Sequence, residues 1–149
     1  MTESLETLFD EVYTKFKLQF YQRIFQRLNA REATLTTMEA FSVEIIDALG
    51  TPTVSEFAKF VNISTANATY KIQSLIKKGY LRKERSEEDR RESHLFLTDR
   101  YHDYKKMGTN YIDMVVQRIQ QVHSPEEVTA FKLMLESISN DLMPEIELP

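Results

Sequence analysis

Cysteine is absent from this 149-residue chain. That excludes disulfides, thiolate metal ligation and thiol-based peroxide sensing, and it fits a reducing compartment. No run of 18 apolar residues occurs, so no stretch reads as a membrane span, and the acidic start MTESLET is unlike the basic opening of a secretory signal. A cytoplasmic protein without a membrane partner is expected. Glycine and proline are scarce, at 3 and 4 residues, which leaves long stretches free to be helical. A glycine-rich phosphate loop, a nucleophile motif and a convergent acid–base pair are all missing, so an enzyme is not expected. The histidines His94, His102 and His123 are scattered, and His102 beside Asp103 has no i, i+4 partner of ligand type. Neither a metal site nor a cofactor is expected, and a solvent-exposed or helix-face position is the simplest account of each histidine.

The net charge of −4 argues against nucleic acid only as an average. From Lys71 to Lys106, 11 lysines and arginines stand against 7 acids, leaving +4, whereas the remaining residues carry 8 against 16, leaving −8. A basic face on an acidic body can hold phosphates while the body discourages indiscriminate association. An ordinary solvated surface could show the same imbalance, so the charge needs a motif beside it.

The apolar residues Leu5, Leu8, Phe9, Val12, Tyr13, Phe16, Phe20, Ile24, Phe25 and Leu28 recur at three- and four-residue spacing. They predict one amphipathic helix, roughly 35 Å long at 1.5 Å per residue. Thr36-Thr37-Met38-Glu39 reads as a capping box opening a second helix through Ala48, before Gly50 and Pro52. A second box, Thr53-Val54-Ser55-Glu56, opens a third helix, and Ser64 caps a fourth that ends at Gly79. Tyr80–Arg85 and His94–Leu97 read as strands around a charged tip. Thr98 is expected to cap a fifth helix through about Gln121, and Ser124-Pro125-Glu126-Glu127 a sixth to about Leu142. The tail PEIELP follows. The fold class is thus mainly α with a small β-wing: one domain over 1–149, a winged helix-turn-helix at 34–98, and dimerisation helices at 1–30 and 99–143.

Helix, turn, helix and basic hairpin in that order form a DNA-reading device. On the fourth helix Ala68, Ile72, Leu75 and Ile76 share the face that should pack on Phe57, Ala58 and Val61. Asn62 lies in the turn, where a left-handed backbone is expected. The other face, with Ser64 at its start, presents Thr65, Asn67, Thr69, Tyr70, Lys71, Gln73, Ser74 and Lys77. Short polar side chains there can reach base edges, and Lys71, Lys77 and Lys78 suit phosphates. No acid lies on this stretch from Ser64 to Lys83. In the wing, Leu81, Leu95 and Leu97 should pin the hairpin to the body. Arg85, Arg90 and Arg91 stand near the tip, where an arginine can enter a narrow minor groove. Asp89 cannot favour DNA by its charge, so bracing Arg91 is the role left to it. The rival reading is a winged module used for protein contacts without sequence-specific DNA binding.

The combination LTTME, TVSEFAKFVNIS, a helix ending LIKKGYL, then DRR and LFLT resembles the MarR family of bacterial transcription regulators, closely over about Thr34 to Thr98. The resemblance implies a homodimer on a short pseudo-palindromic operator in double-stranded DNA. It implies the fourth helix in the major groove, Arg91 in the minor groove, Arg90 near the backbone and Asp89 bracing the wing. Tyr70 stands where many members have an arginine, and Asn67 and Gln73 likewise suggest an operator of the chain's own kind. Many members release DNA when a small molecule binds between the dimerisation helices and the winged module. Phe16, Phe20, Met38, Phe41 and Ile45, with Tyr111, could line such an effector pocket, although aromatic and Met residues at helical spacing are more often plain core. The absence of cysteine removes the family's thiol-oxidation route.

Overall fold

The computed structural model describes residues 2–29, 34–106 and 110–146. The chain divides into two compact units, 1–108 and 109–149. The first holds α1 (Leu5–Leu28), α2 (Thr37–Leu49), α3 (Val54–Phe60), α4 (Thr65–Lys77), β1 (Leu81–Arg85), β2 (Ser93–Leu97) and α5 (Asp99–Lys106). The second holds α6 (Tyr111–Val122) and α7 (Pro125–Ser137), which continues into a π-helical turn at Ile138–Leu142.

Helix starts follow the capping chemistry. The Thr36 hydroxyl accepts from the Glu39 N–H at 3.2 Å, while the Glu39 carboxylate accepts from the Thr36 N–H at 3.0 Å. Ser64 Oγ accepts from the Asn67 N–H at 3.1 Å. At Thr53 the hydroxyl accepts from the Glu56 N–H at 3.1 Å, the cap half of the box, while the Thr53 backbone bridges to His94. Helix ends follow backbone chemistry. Asn62 takes φ 58° and Gly79 φ 87°, and each closes its helix by a paired 5→2 and 6→1 hydrogen bond: Asn62 and Ile63 to Lys59 and Ala58, Gly79 and Tyr80 to Ile76 and Leu75. The left-handed turn after α3 directs the chain straight into α4.

Ala68, Ile72 and Leu75 of α4 are buried with Phe57 and Ala58 of α3, Val43 and Ile46 of α2, and Leu81 and Leu95 of the hairpin. Each large side chain so buried contributes about 1.5–3 kcal/mol. β1 and β2 pair antiparallel with Leu81 opposite Leu97 and Lys83 opposite Leu95. The Leu95 N–H donates to the Pro52 carbonyl at 2.8 Å, which fixes the wing's base to the segment before α3.

A buried polar network joins α1, α2 and α5. Arg27, 2% exposed, donates to Glu44 at 2.8 Å and to the Lys105 carbonyl at 2.5 Å, and its guanidinium lies 5.0 Å from the Tyr104 ring centroid. Nearby, the Tyr101 hydroxyl donates to Asp47 at 2.9 Å. Burial, with the charges of Glu44 and Asp47, pushes the Tyr101 hydroxyl far above its ordinary range, so it stays a donor.

Two sequence expectations change. Thr98 does not cap α5 with its hydroxyl; that group donates to the Gly79 carbonyl at 2.5 Å, and the Thr98 N–H donates to the Tyr80 carbonyl at 3.1 Å. The satisfied groups are therefore those at the end of α4. The single helix expected from Thr98 to Gln121 is two helices. Asn110 starts α6 afresh, its side chain accepting from the Asp113 N–H at 3.2 Å, and residues 107–109 of that expectation lie outside the described residues. Gly108 and Asn110 are poor helix-interior residues, and Asn is a good cap.

In the second unit Ser124 and Glu127 form the expected capping box, with Pro125 at the first helical position. No described residue of α6 or α7 is buried. Val116, Phe131, Leu133, Met134, Leu135 and Leu142 are all exposed.

Candidate nucleic-acid interface

The polar face of α4 is built by what the opposite face buries. With Ala68, Ile72 and Leu75 fixed in the core, Thr65, Asn67, Tyr70, Gln73 and Lys77 are turned outward and exposed, and Thr69 and Lys71 are half-buried. Tyr70 is 77% exposed, far more than an aromatic ring needs for packing. Thr69 spends its hydroxyl on the Thr65 carbonyl at 2.8 Å, which leaves its methyl as the group it can offer.

Ser74 and Lys78 do not fit the expectation of a solvent-facing polar surface. Ser74 donates to Glu39 Oε2 at 3.0 Å, and the Lys78 ammonium donates to Glu39 Oε1 at 2.6 Å and to the Thr34 carbonyl at 2.9 Å. Burial raises the Glu39 carboxyl, but the hydrogen bonds from Lys78, Thr36 and Ser74 outweigh it and hold the group below the usual carboxylate range. A sequence free of acids between Ser64 and Lys83 gave no sign of this, because the acid arrives from α2, 35 residues before Ser74 and 39 before Lys78.

At the wing tip, Asp89 Oδ1 accepts from the Arg91 backbone N–H at 3.0 Å and from its Nε at 3.3 Å. This is an Asx turn with a side-chain contact added. The Arg91 side chain remains 92% exposed, so the contact aims it without covering it. The loop closes through the Ser86 N–H on the Glu92 carbonyl at 2.9 Å, and Glu92 accepts from Ser55 of α3 at 3.2 Å. Arg85 and Arg90 are exposed. On β1, Arg82 pairs with Glu84 and lies 4.7 Å from the Phe96 ring centroid. Among the described residues Lys71, Lys77, Lys83, Arg85 and Arg90 make no ion pair, in contrast to Lys78, Arg82, Arg91 and Lys105. Five cations without an ion pair thus lie on α4 and the wing.

Arg100, which sequence reasoning passed over, secures the C-terminal end of α4. Its Nη1 donates to the Lys78 carbonyl at 2.7 Å, and its guanidinium sits 4.9 Å from the Tyr80 ring centroid. A cation here also favours the negative end of the helix dipole. Only the placement of α5 brings it within reach, and the sequence offers no signal for that.

The residues considered as an effector pocket lie in two places. Phe20 and Phe41 are neighbours across α1 and α2, with centroids 6.3 Å apart, while Ile45 packs on the core cluster and Phe16 is half-buried on α1. Met38, 62% exposed, instead lines an open cleft of about 190 Å³ with Thr36, Glu39, Tyr70, Lys71 and Ser74. Among the described residues no cluster of three or more His, Asp or Glu could hold a metal ion. His94 is half-buried on β2, with its Nδ1–H donating to the Thr51 carbonyl at 3.0 Å. Among the described residues no helix is long and apolar enough to cross a membrane.

Residues 35–93 match the model of the MarR family. No protein of curated function matches the chain. Among solved structures, Streptococcus pneumoniae FabT in complex with DNA is 21% identical with a TM-score of 0.59, covering 93% of this chain and 97% of that one. MepR of S. aureus in its DNA-binding conformation is 17% identical with a TM-score of 0.60, covering 95% and 100%. Sco3205, a MarR family transcriptional regulator from Streptomyces coelicolor in complex with DNA, is 18% identical with a TM-score of 0.50, covering 100% and 98%. At these identities the likeness establishes the fold.

Proposed function

We propose, from the match of residues 35–93 to the MarR family model, that this chain is a homodimeric, sequence-specific DNA-binding regulator of transcription, a repressor where its operator overlaps a promoter. The observation that carries the reading is the pairing of an outward polar face on α4 with an exposed, Asp89-braced Arg91 at the wing tip. Asn67 and Gln73 suit adenine edges, Thr65 and Thr69 a thymine methyl, and Lys71 and Lys77 phosphates. Arg91 takes the minor groove, where negative potential is enhanced. The role is binding rather than catalysis, in the cytoplasm, where the DNA is.

Uncovered apolar surface supports the dimer. On α1, Leu5, Leu8, Phe9, Val12 and Tyr13 are 45–78% exposed, and the second unit buries none of its described helical residues. Two-fold pairing would cover such faces and set two recognition helices about 34 Å apart, one turn of DNA. An effector seated among Phe16, Phe20, Phe41 and Ile45 would alter that spacing only by binding the two states with different affinity.

Selection of fragments bound from a random duplex pool tests the reading. Enrichment of one inverted repeat with half-sites a helical turn apart is the expected result. Failure to enrich any sequence would turn the reading toward protein contacts.

A further inference from the structure

We infer that Glu39 is a specificity-determining residue of the DNA interface, because it withholds Lys78 from phosphate and fixes the C-terminal half of the recognition helix. The inference rests on the DNA-binding reading above and concerns residues to which that reading assigns no contact.

One carboxylate holds three partners. Glu39 Oε1 accepts from the Thr36 N–H at 3.0 Å and from Lys78 Nζ at 2.6 Å, and Oε2 accepts from Ser74 at 3.0 Å. Lys78 is further held by the Thr34 carbonyl at 2.9 Å. The Glu39 side chain is 12% exposed and that of Lys78 31%, so the pair is partly shielded from the screening that weakens surface pairs. It also sits beside the reading face, since Glu39 and Ser74 line the same cleft as Tyr70 and Lys71.

Two consequences follow. First, Lys78 enters the interface already neutralised, so it releases no counterion when DNA binds, unlike Lys71 and Lys77. A phosphate contact tightens all sequences alike, and removing one lowers affinity for unrelated DNA without touching base readout. Second, α4 is fastened to α2 at Ser74 and Lys78, on the turns that follow Tyr70, Lys71 and Gln73. The direction in which those side chains face DNA is therefore set by α2 as well as by the hydrophobic core.

The test is a charge cycle in the full-length protein, with binding followed over a salt series on a selected duplex and on a scrambled one. Glu39→Gln keeps the size of the side chain and an acceptor for the Thr36 N–H while removing the charge that detains Lys78. Its log-log salt slope should steepen by about 0.9, with several-fold tighter binding to scrambled DNA near 0.1 M salt and a smaller ratio of selected to scrambled affinity. Glu39→Gln combined with Lys78→Met should return the slope to the wild-type value. The inference is overturned if Glu39→Gln leaves the slope unchanged, or if the double variant falls about 0.9 below wild type, since Lys78 would then already meet a phosphate. Should Glu39→Gln not fold, as judged by thermal melting, Lys78→Met alone decides: an unchanged slope supports the inference and a slope weaker by about 0.9 ends it. Absence of any preference of the wild type for the selected duplex would instead sink the DNA-binding reading itself.

Discussion

Glu39 was legible in the sequence as half of a capping box, and the structure keeps that role while adding Ser74 and Lys78. A local rule could find the first partner, three residues away, and no rule of spacing could find the others. The same holds for Arg100 on the Lys78 carbonyl. Arg91 and Asp89 are neighbours in sequence, so their contact could be anticipated from residue types alone. The lowered pKa of Glu39 carries a stability consequence. A carboxyl depressed by folding stabilises the fold above its unfolded pKa, about 4.3 for glutamate, and loses that contribution as pH falls through the folded value. The unfolding free energy of the wild type should exceed that of Glu39→Gln by a constant margin above about pH 5, and the margin should shrink on acidification. Urea unfolding at several pH values measures it, and a margin independent of pH down to strong acid would show that the charge of Glu39 is not what stabilises.

Among elements, α1 through α4 and the hairpin were anticipated to within a residue or two, because caps, a left-handed Asn62 and Gly79, and 3.6-residue periodicity are all local signals. The break between α5 and α6 was missed because apolar periodicity runs on through it while Asn110 supplies a second cap. Also invisible was the polar tie among α1, α2 and α5. Arg27 and Glu44 lie 17 residues apart, and Arg27 reaches the Lys105 carbonyl 78 residues away. Removing one member of a buried pair strips its partner of compensating charge, and Glu44 would keep only Arg23, at 3.8 Å. Arg27→Ala should accordingly destabilise the protein by about 3–5 kcal/mol. Replacing both Arg27 and Glu44 with apolar residues of similar volume should cost much less. Denaturant midpoints of the two variants make the comparison, and equal losses would mean that packing of the Arg27 stem, not its charge, is what matters.

For the molecule as a whole, the fold class followed from the order of its elements, whereas assembly is argued from what the fold leaves uncovered. The stripe from Leu5 to Tyr13 and Phe131, Leu133, Met134 and Leu135 of α7 remain exposed, in keeping with the proposed two-fold partner. The excess of cations between Lys71 and Lys106 also acquires a place. Several of its members are paired within the fold, and the proposed phosphate contacts are among the cations on α4 and the wing that have no ion pair. The claim on which all of this depends is that α4 and the wing read DNA. Fluorescence anisotropy over a salt series, comparing wild type and Arg91→Ala on a selected duplex and on a scrambled one, addresses it most directly. Steep salt dependence of roughly −0.9 per phosphate neutralised is expected. The wild type should also clearly prefer the selected duplex, and Arg91→Ala should lose about 1–3 kcal/mol on it. Equal affinity of wild type for both duplexes, with no change on Arg91→Ala at low salt, would contradict that claim.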